Sequence, residues 1–143
     1  MRYRRRVVDT RSRGIEAALH PAAAWAIEVE NGITDLEADL RAVTLAGISV
    51  RGGVNHFRLR LPHPSGTVRI RIEGGASEGR MTRPAGVPLL LVTDGVSRLE
   101  FDGRERESSG VALRLRSRTY DRAPDRYEVE IAGGISELLI DEE

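Results

Sequence analysis

The feature that most constrains this chain is a dipeptide turn written five times between alternating arms. Asn31-Gly32, Gly52-Gly53, Gly74-Gly75, Asp94-Gly95 and Gly133-Gly134 each follow one run of alternating aliphatic residues and precede a second run. Their second residues, Gly32, Gly53, Gly75, Gly95 and Gly134, lie 21, 22, 20 and 39 residues apart, the last interval being close to two periods. Three and five positions before each glycine the residue is always aliphatic, as with Val29 and Ile27 or Ile131 and Val129. Four and six positions after it the pattern returns, broken only at Gly79. A period of two on both sides of a turn rich in glycine, asparagine and aspartate makes each copy a strand, a tight turn and a strand. The expectation is an all-β fold.

Two architectures can use five such copies. Asn-Gly and Asp-Gly are strong hairpin signals, so the copies could be hairpins in an antiparallel β-sandwich. Alternatively each copy is one rung of about 20 residues in a right-handed β-helix-like solenoid of five to six rungs, its turn being a corner between two sheets. Charge favours the solenoid. Two positions before the glycine stand Glu30, Arg51 and Glu73; three positions after it stand Asp35, His56, Glu78, Arg98 and Glu137. Signs that alternate from copy to copy fit like positions lying side by side on adjacent strands. The column two positions after the glycine, Thr34, Asn55, Ser77, Ser97 and Ser136, is then a polar ladder near the corner, expected to bond along the stack and to turn amides.

Chemistry-bearing motifs are sparse. The 143 residues include no cysteine, which excludes disulfides, thiolate metal sites and cysteine nucleophiles. His20, His56 and His63 have no metal-pair spacing, and no serine of the ladder has a histidine beside it to act as a base. Asp35, Glu37 and Asp39 share one strand face and could chelate a hard cation, but they read more simply as a solvated face. The expectation is a non-enzymatic chain with no catalytic, cofactor or metal residues. No window has the length and apolarity of a membrane span. As written the chain reads as cytoplasmic, or as envelope-associated if it is a fragment. Residues 1–13 hold six arginines against Asp9, leaving 16 arginines and 21 acids in the rest. They read as a basic tail; no nucleic-acid partner is expected.

The rest, 14–143, reads as a single β-repeat domain. Residues 14–24 are an N-terminal cap over the first rung, and 102–127 an insertion or degenerate rung that fills the doubled interval. That insertion, with Tyr120 and Tyr127, is the natural contact surface. Because the last copy runs almost to the C-terminus, its strand edge is expected to be open. A homodimer through the C-terminal rungs, using Leu139, follows, alongside a protein partner of unspecified identity.

The segments "IRIEGGAS", "RPAGVPLLLVTDGVSRLEFDG" and "YDRAPDRYEVEIAGGISELLID" resemble the "putative adhesin" or toast-rack domains, bacterial β-helical repeat modules. The resemblance covers about residues 25–140. It implies a right-handed β-helix-like stack, no established catalytic residues, and a role in interaction or sensing. A carbohydrate-binding or carbohydrate-active β-helix is the alternative. It would require aromatic platforms, and Trp25 and Phe57 are expected to face inward.

Overall fold

The computed structural model describes residues 4–9, 14–16, 24–108 and 112–143. Among these residues fourteen strands form: β1 (Arg4–Asp9), β2 (Gly14–Glu16), β3 (Ala24–Glu30), β4 (Ile33–Asp39), β5 (Thr44–Val50), β6 (Val54–Arg60), β7 (Thr67–Ile72), β8 (Ala76–Arg83), β9 (Leu89–Thr93), β10 (Val96–Phe101), β11 (Arg104–Ser108), β12 (Leu113–Arg116), β13 (Arg126–Ile131) and β14 (Ile135–Glu142). They build two seven-stranded mixed sheets, ordered β1-β3-β5-β7-β13-β9-β12 and β11-β10-β14-β8-β6-β4-β2. Pairing is parallel except for β10 with β11 and β9 with β12. The described residues are all-β, as expected, apart from one 3-10 turn at Tyr120–Arg122.

The two arms of each sequence copy lie in different sheets and do not pair with each other. Their inward residues meet between the sheets. In the first sheet Ile27, Ile48, Ile70, Val129 and Leu91 lie side by side. In the second, Leu36, Phe57, Gly79, Leu138 and Leu99 do the same. Apart from Gly79, all of these side chains are buried in one continuous hydrophobic cluster. Gly79 interrupts the row because the Phe57 ring fills its place: a Cβ there would stand 2.1 Å from Phe57 Cζ.

The order of the strands departs from the order of the copies. The last copy, β13 and β14, does not end the stack but inserts between β7–β8 and β9–β10. Its strands therefore have neighbours on both sides, and the open C-terminal edge invoked for a homodimer does not exist. Segment 102–127 supplies the cover instead. β11 closes the edge of β10, β12 closes the edge of β9, and both do so antiparallel. At the other end, Arg4–Asp9, expected within a basic tail, form β1 beside β3, and Gly14–Glu16, expected within the cap, form β2 beside β4. An open sheet edge offers unpaired N–H and C=O groups to any segment that reaches it, so edge pairing there does not depend on an apolar sequence. Residues 17–23, the remainder of the expected cap, lie outside the described residues.

Arg83 holds the covered end together. It continues the inward parity of Met81, so a guanidinium occupies a position the pattern reserves for an aliphatic side chain, and it is 1% exposed. The guanidinium donates to both carboxylate oxygens of Asp102, at 2.9 and 2.8 Å, and to Val87 O at 2.6 Å. Longer bonds reach Glu142 Oε1 and Ser117 Oγ. One buried fork thus ties β8, the β10–β11 turn, the segment after β12 and the end of β14, and this bidentate carboxylate geometry satisfies a charge that burial would otherwise penalise.

Candidate functional site

The turns form a groove of about 940 Å³ along the side of the stack. Its floor is backbone. Gly52, Gly53, Gly74, Gly75, Gly133 and Gly134 all have positive φ, between +79° and +95°. Successive turns also touch. A Cβ on Gly74 would lie 2.6 Å from Gly53 N, and one on Gly133 would lie 2.7 Å from Gly75 N. Both the conformation and the close approach require glycine. The hydrogen bonds run from turn to turn: Ile33 N–H to Gly53 O, Val54 N–H to Gly75 O, Ala76 N–H to Gly134 O and Ile135 N–H to Gly95 O.

The three Gly-Gly turns are consecutive in space, and the two turns that begin with Asn31 and Asp94 flank them. A Cβ at the first turn position points toward the preceding turn. Asn31 has no preceding turn among the described residues, and it keeps φ at +68°. Asp94 ends the row in a different conformation, and its carboxylate accepts a 2.7 Å bond from Gly133 N–H. Thr93 Oγ1 accepts a bond from Gly95 N–H beside it.

Thr34, Asn55, Ser77, Ser97 and Ser136 line the rim of this groove, all exposed. The structure corrects one part of the sequence reading: these side chains make no hydrogen bonds to each other or to turn amides. Backbone carbonyls already satisfy most of those amides, and the in-and-out alternation breaks after the turn, so the hydroxyls and the amide are open to solvent. The break is visible in two successive exposed residues, as in Thr34 and Asp35 or Ser136 and Glu137.

Two rows of charge cross the outer face of the second sheet next to the groove. In spatial order the first reads Asp35, His56, Glu78, Glu137 and Arg98. The second reads Glu37, Arg58, Arg80, Leu139 and Glu100. His56 sits 3.2 Å from Asp35 and 3.7 Å from Glu78. The insertion of β14 replaces the expected alternation of Glu78 with Arg98 by a pair of like charges, Glu78 and Glu137. On the first sheet the same insertion is complementary, with Arg69 at 3.5 Å from Glu128 and Arg71 at 3.9 Å from Glu130.

The other expected contact residues divide. Tyr127 is completely buried and donates its hydroxyl to Pro62 O, and Tyr120 is buried with its ring 4.5 Å from the Arg126 guanidinium. Neither presents a contact surface, because each fills space beneath the segment that was expected to display it. Burial pushes both phenols above their ordinary pKa. Leu139 is half-buried on the outer face. Of the three strand acids, Asp39 is bound by Arg41 through two side-chain bonds of 2.8 and 2.6 Å, which hold its pKa at about 2. Among the described residues no group of three His, Cys, Asp or Glu side chains is arranged to hold a metal ion. Nor is any helix among them long and apolar enough to cross a membrane.

No protein-family model matches the sequence, and no curated protein matches it at the sequence level. A solved structure described as "a putative cell adhesion protein" from Clostridium sporogenes ATCC 15579 shares the fold, with a TM-score of 0.68 and 19% identity. The likeness covers 87% of this chain and 58% of that one. It is a likeness of architecture.

Proposed function

We propose that the chain is a β-solenoid interaction domain, non-enzymatic, whose work is to present fixed rows of side chains to a protein partner. The observation that carries this reading is the outer face of the second sheet. Five parallel strands hold ten outward positions in two straight rows, at the strand spacing of about 4.8 Å, on a core packed without a break. Such a face is rigid and costs little ordering entropy when a partner docks. The cell-adhesion description of the structural neighbour supports an interaction role, and the adhesin resemblance points the same way. The shifted pKa values have local structural causes, an ion pair for Asp39 and burial for the two tyrosines.

The carbohydrate alternative has less to stand on. Among the described residues every aromatic side chain is buried or half-buried, Trp25 and Phe101 being the half-buried ones, so none is fully exposed as a platform for a sugar. A glycan array tests the choice, combined with photo-crosslinking from residues 58 and 137 to a partner from the source cells. A specific protein adduct without selective glycan binding supports the proposal. Selective glycan binding that Asp35→Ala or Asp39→Ala abolishes would overturn it.

A further inference from the structure

One strand of the first sheet departs from the rows its neighbours keep. The inward row of Ile27, Ile48, Ile70, Val129 and Leu91 reaches the far edge at Leu115 of β12, still aliphatic and packed on the core. At the near edge β1 continues that row with Arg6, set beside Ile27, and places Arg4 beside Trp25. Only Val8, beside Val29, keeps the pattern. Two of the three inward register positions of β1 are thus arginine. Its last outward position sets Asp9 beside Glu30, a like-charged pair. β1 therefore covers the edge with main-chain pairing and one aliphatic position. A better-matched strand can replace it, because the main-chain bonds are common to any strand and the side chains decide between strands.

We infer that β1 is an exchangeable cover, and that the β3 edge beneath it is a docking site for an extended segment of another protein, which adds to the first sheet as a parallel strand. That edge offers the main-chain groups of Ala24–Glu30 and the end of the core at Ile27, Val29 and the half-buried Trp25. These specify the segment. It carries apolar residues at three alternate positions, in place of Arg4, Arg6 and Val8, and a cation between the last two, beside Glu28. A second copy has no such strand to give among its described residues. Its β3, β5, β7, β13 and β9 are paired on both sides, its β12 has Leu113 and Leu115 packed on its own core, and its β1 brings the same arginines. The β3 edge lies apart from the outer face of the second sheet and goes beyond the reading above, which needs only that face.

β1 then sets the threshold for docking. The apparent affinity for an incoming strand is the intrinsic affinity reduced by the fraction of chains whose β3 edge is open. Changes confined to β1, which the docked strand does not touch, must therefore move that affinity, and in opposite directions. Val8→Asp removes the one aliphatic position of the cover and raises the open fraction. Arg6→Ile completes the inward row and lowers it.

The probe is an acetylated, amidated peptide with the sequence of the chain's own β7, Thr67–Ile72. Laid on β3 in the register of β1, it puts Val68, Ile70 and Ile72 at the three inward positions and Arg71 beside Glu28. Titrated into the isotope-labelled 143-residue chain and followed by NMR, it should shift the β3 amides saturably and remove hydrogen-exchange protection from β1. Arg6→Ile should weaken binding by about tenfold and Val8→Asp should strengthen it by about the same factor. The peptide carrying Ile70→Asp should not bind. Hydrogen exchange of the unsubstituted chain needs no variant: the β1 amides should exchange about tenfold or more faster than those of β5. No saturable binding, shifts away from the β3 edge, an affinity that neither substitution moves, or β1 amides as protected as those of β5 overturns the inference. A sedimenting dimer that the peptide disperses would make the occupant a strand of a second copy and overturn its assignment to another protein.

Discussion

Replacing Gly74 by alanine should be among the costliest small substitutions this chain can suffer, and its cost has two separable parts. Gly74 holds φ at +92°, and an added Cβ would stand 2.6 Å from Gly53 N, 2.9 Å from Gly52 C and 3.1 Å from Gly53 Cα. The left-handed conformation costs an alanine about 1–2 kcal/mol. The contacts are with backbone held in the neighbouring turn, which cannot rotate aside, so overpacking adds about 1–3 kcal/mol. Restricting the unfolded chain returns about 0.4–1 kcal/mol. The net loss is about 1–4.5 kcal/mol, or about 3–20 °C in Tm for a chain of this size. Gly66 is the control: its φ is +72° and a Cβ there meets nothing within 4 Å. Gly66→Ala therefore carries only the conformational part, at most about 1.5 kcal/mol after the same offset. Urea unfolding of both variants, read by far-ultraviolet circular dichroism, gives the difference directly. A Gly74→Ala variant no less stable than Gly66→Ala would refute the stacking of turns on which the groove depends.

Arg83→Met should cost about 2–4 kcal/mol in urea unfolding. That is below the usual loss for a broken buried pair because Asp102, with 31% of its side chain exposed, can recover some water. Gly79→Ala alone should destabilise by about 1–3 kcal/mol, since its methyl would overlap the Phe57 ring, and Phe57→Leu in the same chain should recover part of that loss in a double-mutant cycle. Asp39 should titrate by NMR near pH 2, and Arg41→Ala should return it toward 3.8. Because the folded pKa is the lower one, the ion pair's stabilisation is present above about pH 4 and lost between about 4 and 2; it is small, both groups being open to solvent screening.

What the sequence made legible was everything local to a copy. Alternation assigns Ile48 and Val50 to the core and Ser49 to the outside without reference to any other strand, and the glycine pairs mark where the chain changes sheets. The order of the copies in space was a different matter. The apolar rows are interchangeable: Val129 fits beside Ile70 as well as Leu91 does, so hydrophobic pattern cannot say which comes next. The ladder residues line one groove, but the bonding expected of them is absent because polar side chains near a turn also suit solvent. Arg83 did carry a signal, being an arginine at inward parity two residues after Met81, and Asp102 with Gly103 marked the turn that would meet it.

One signal for the order was present in the charges of the first sheet. Glu128 and Glu130 lack an opposite charge beside β9, where they face Leu90 and Val92, and find Arg69 and Arg71 on β7, so β13 belongs beside β7. The turns fix only the start of the row. A Cβ at the first turn position points into the preceding turn, so Gly52, Gly74 and Gly133 must be glycine, while Asn31 has no preceding turn among the described residues. Asp94 does follow another turn, Gly133-Gly134, and fits by a different conformation with its carboxylate accepting from Gly133 N–H, so turn sterics do not order the last two copies. Because β14 is tied to β13 through that turn, the ion pairs of the first sheet carry Glu137 to the side of Glu78 on the second, and that like-charge contact is a consequence of the order.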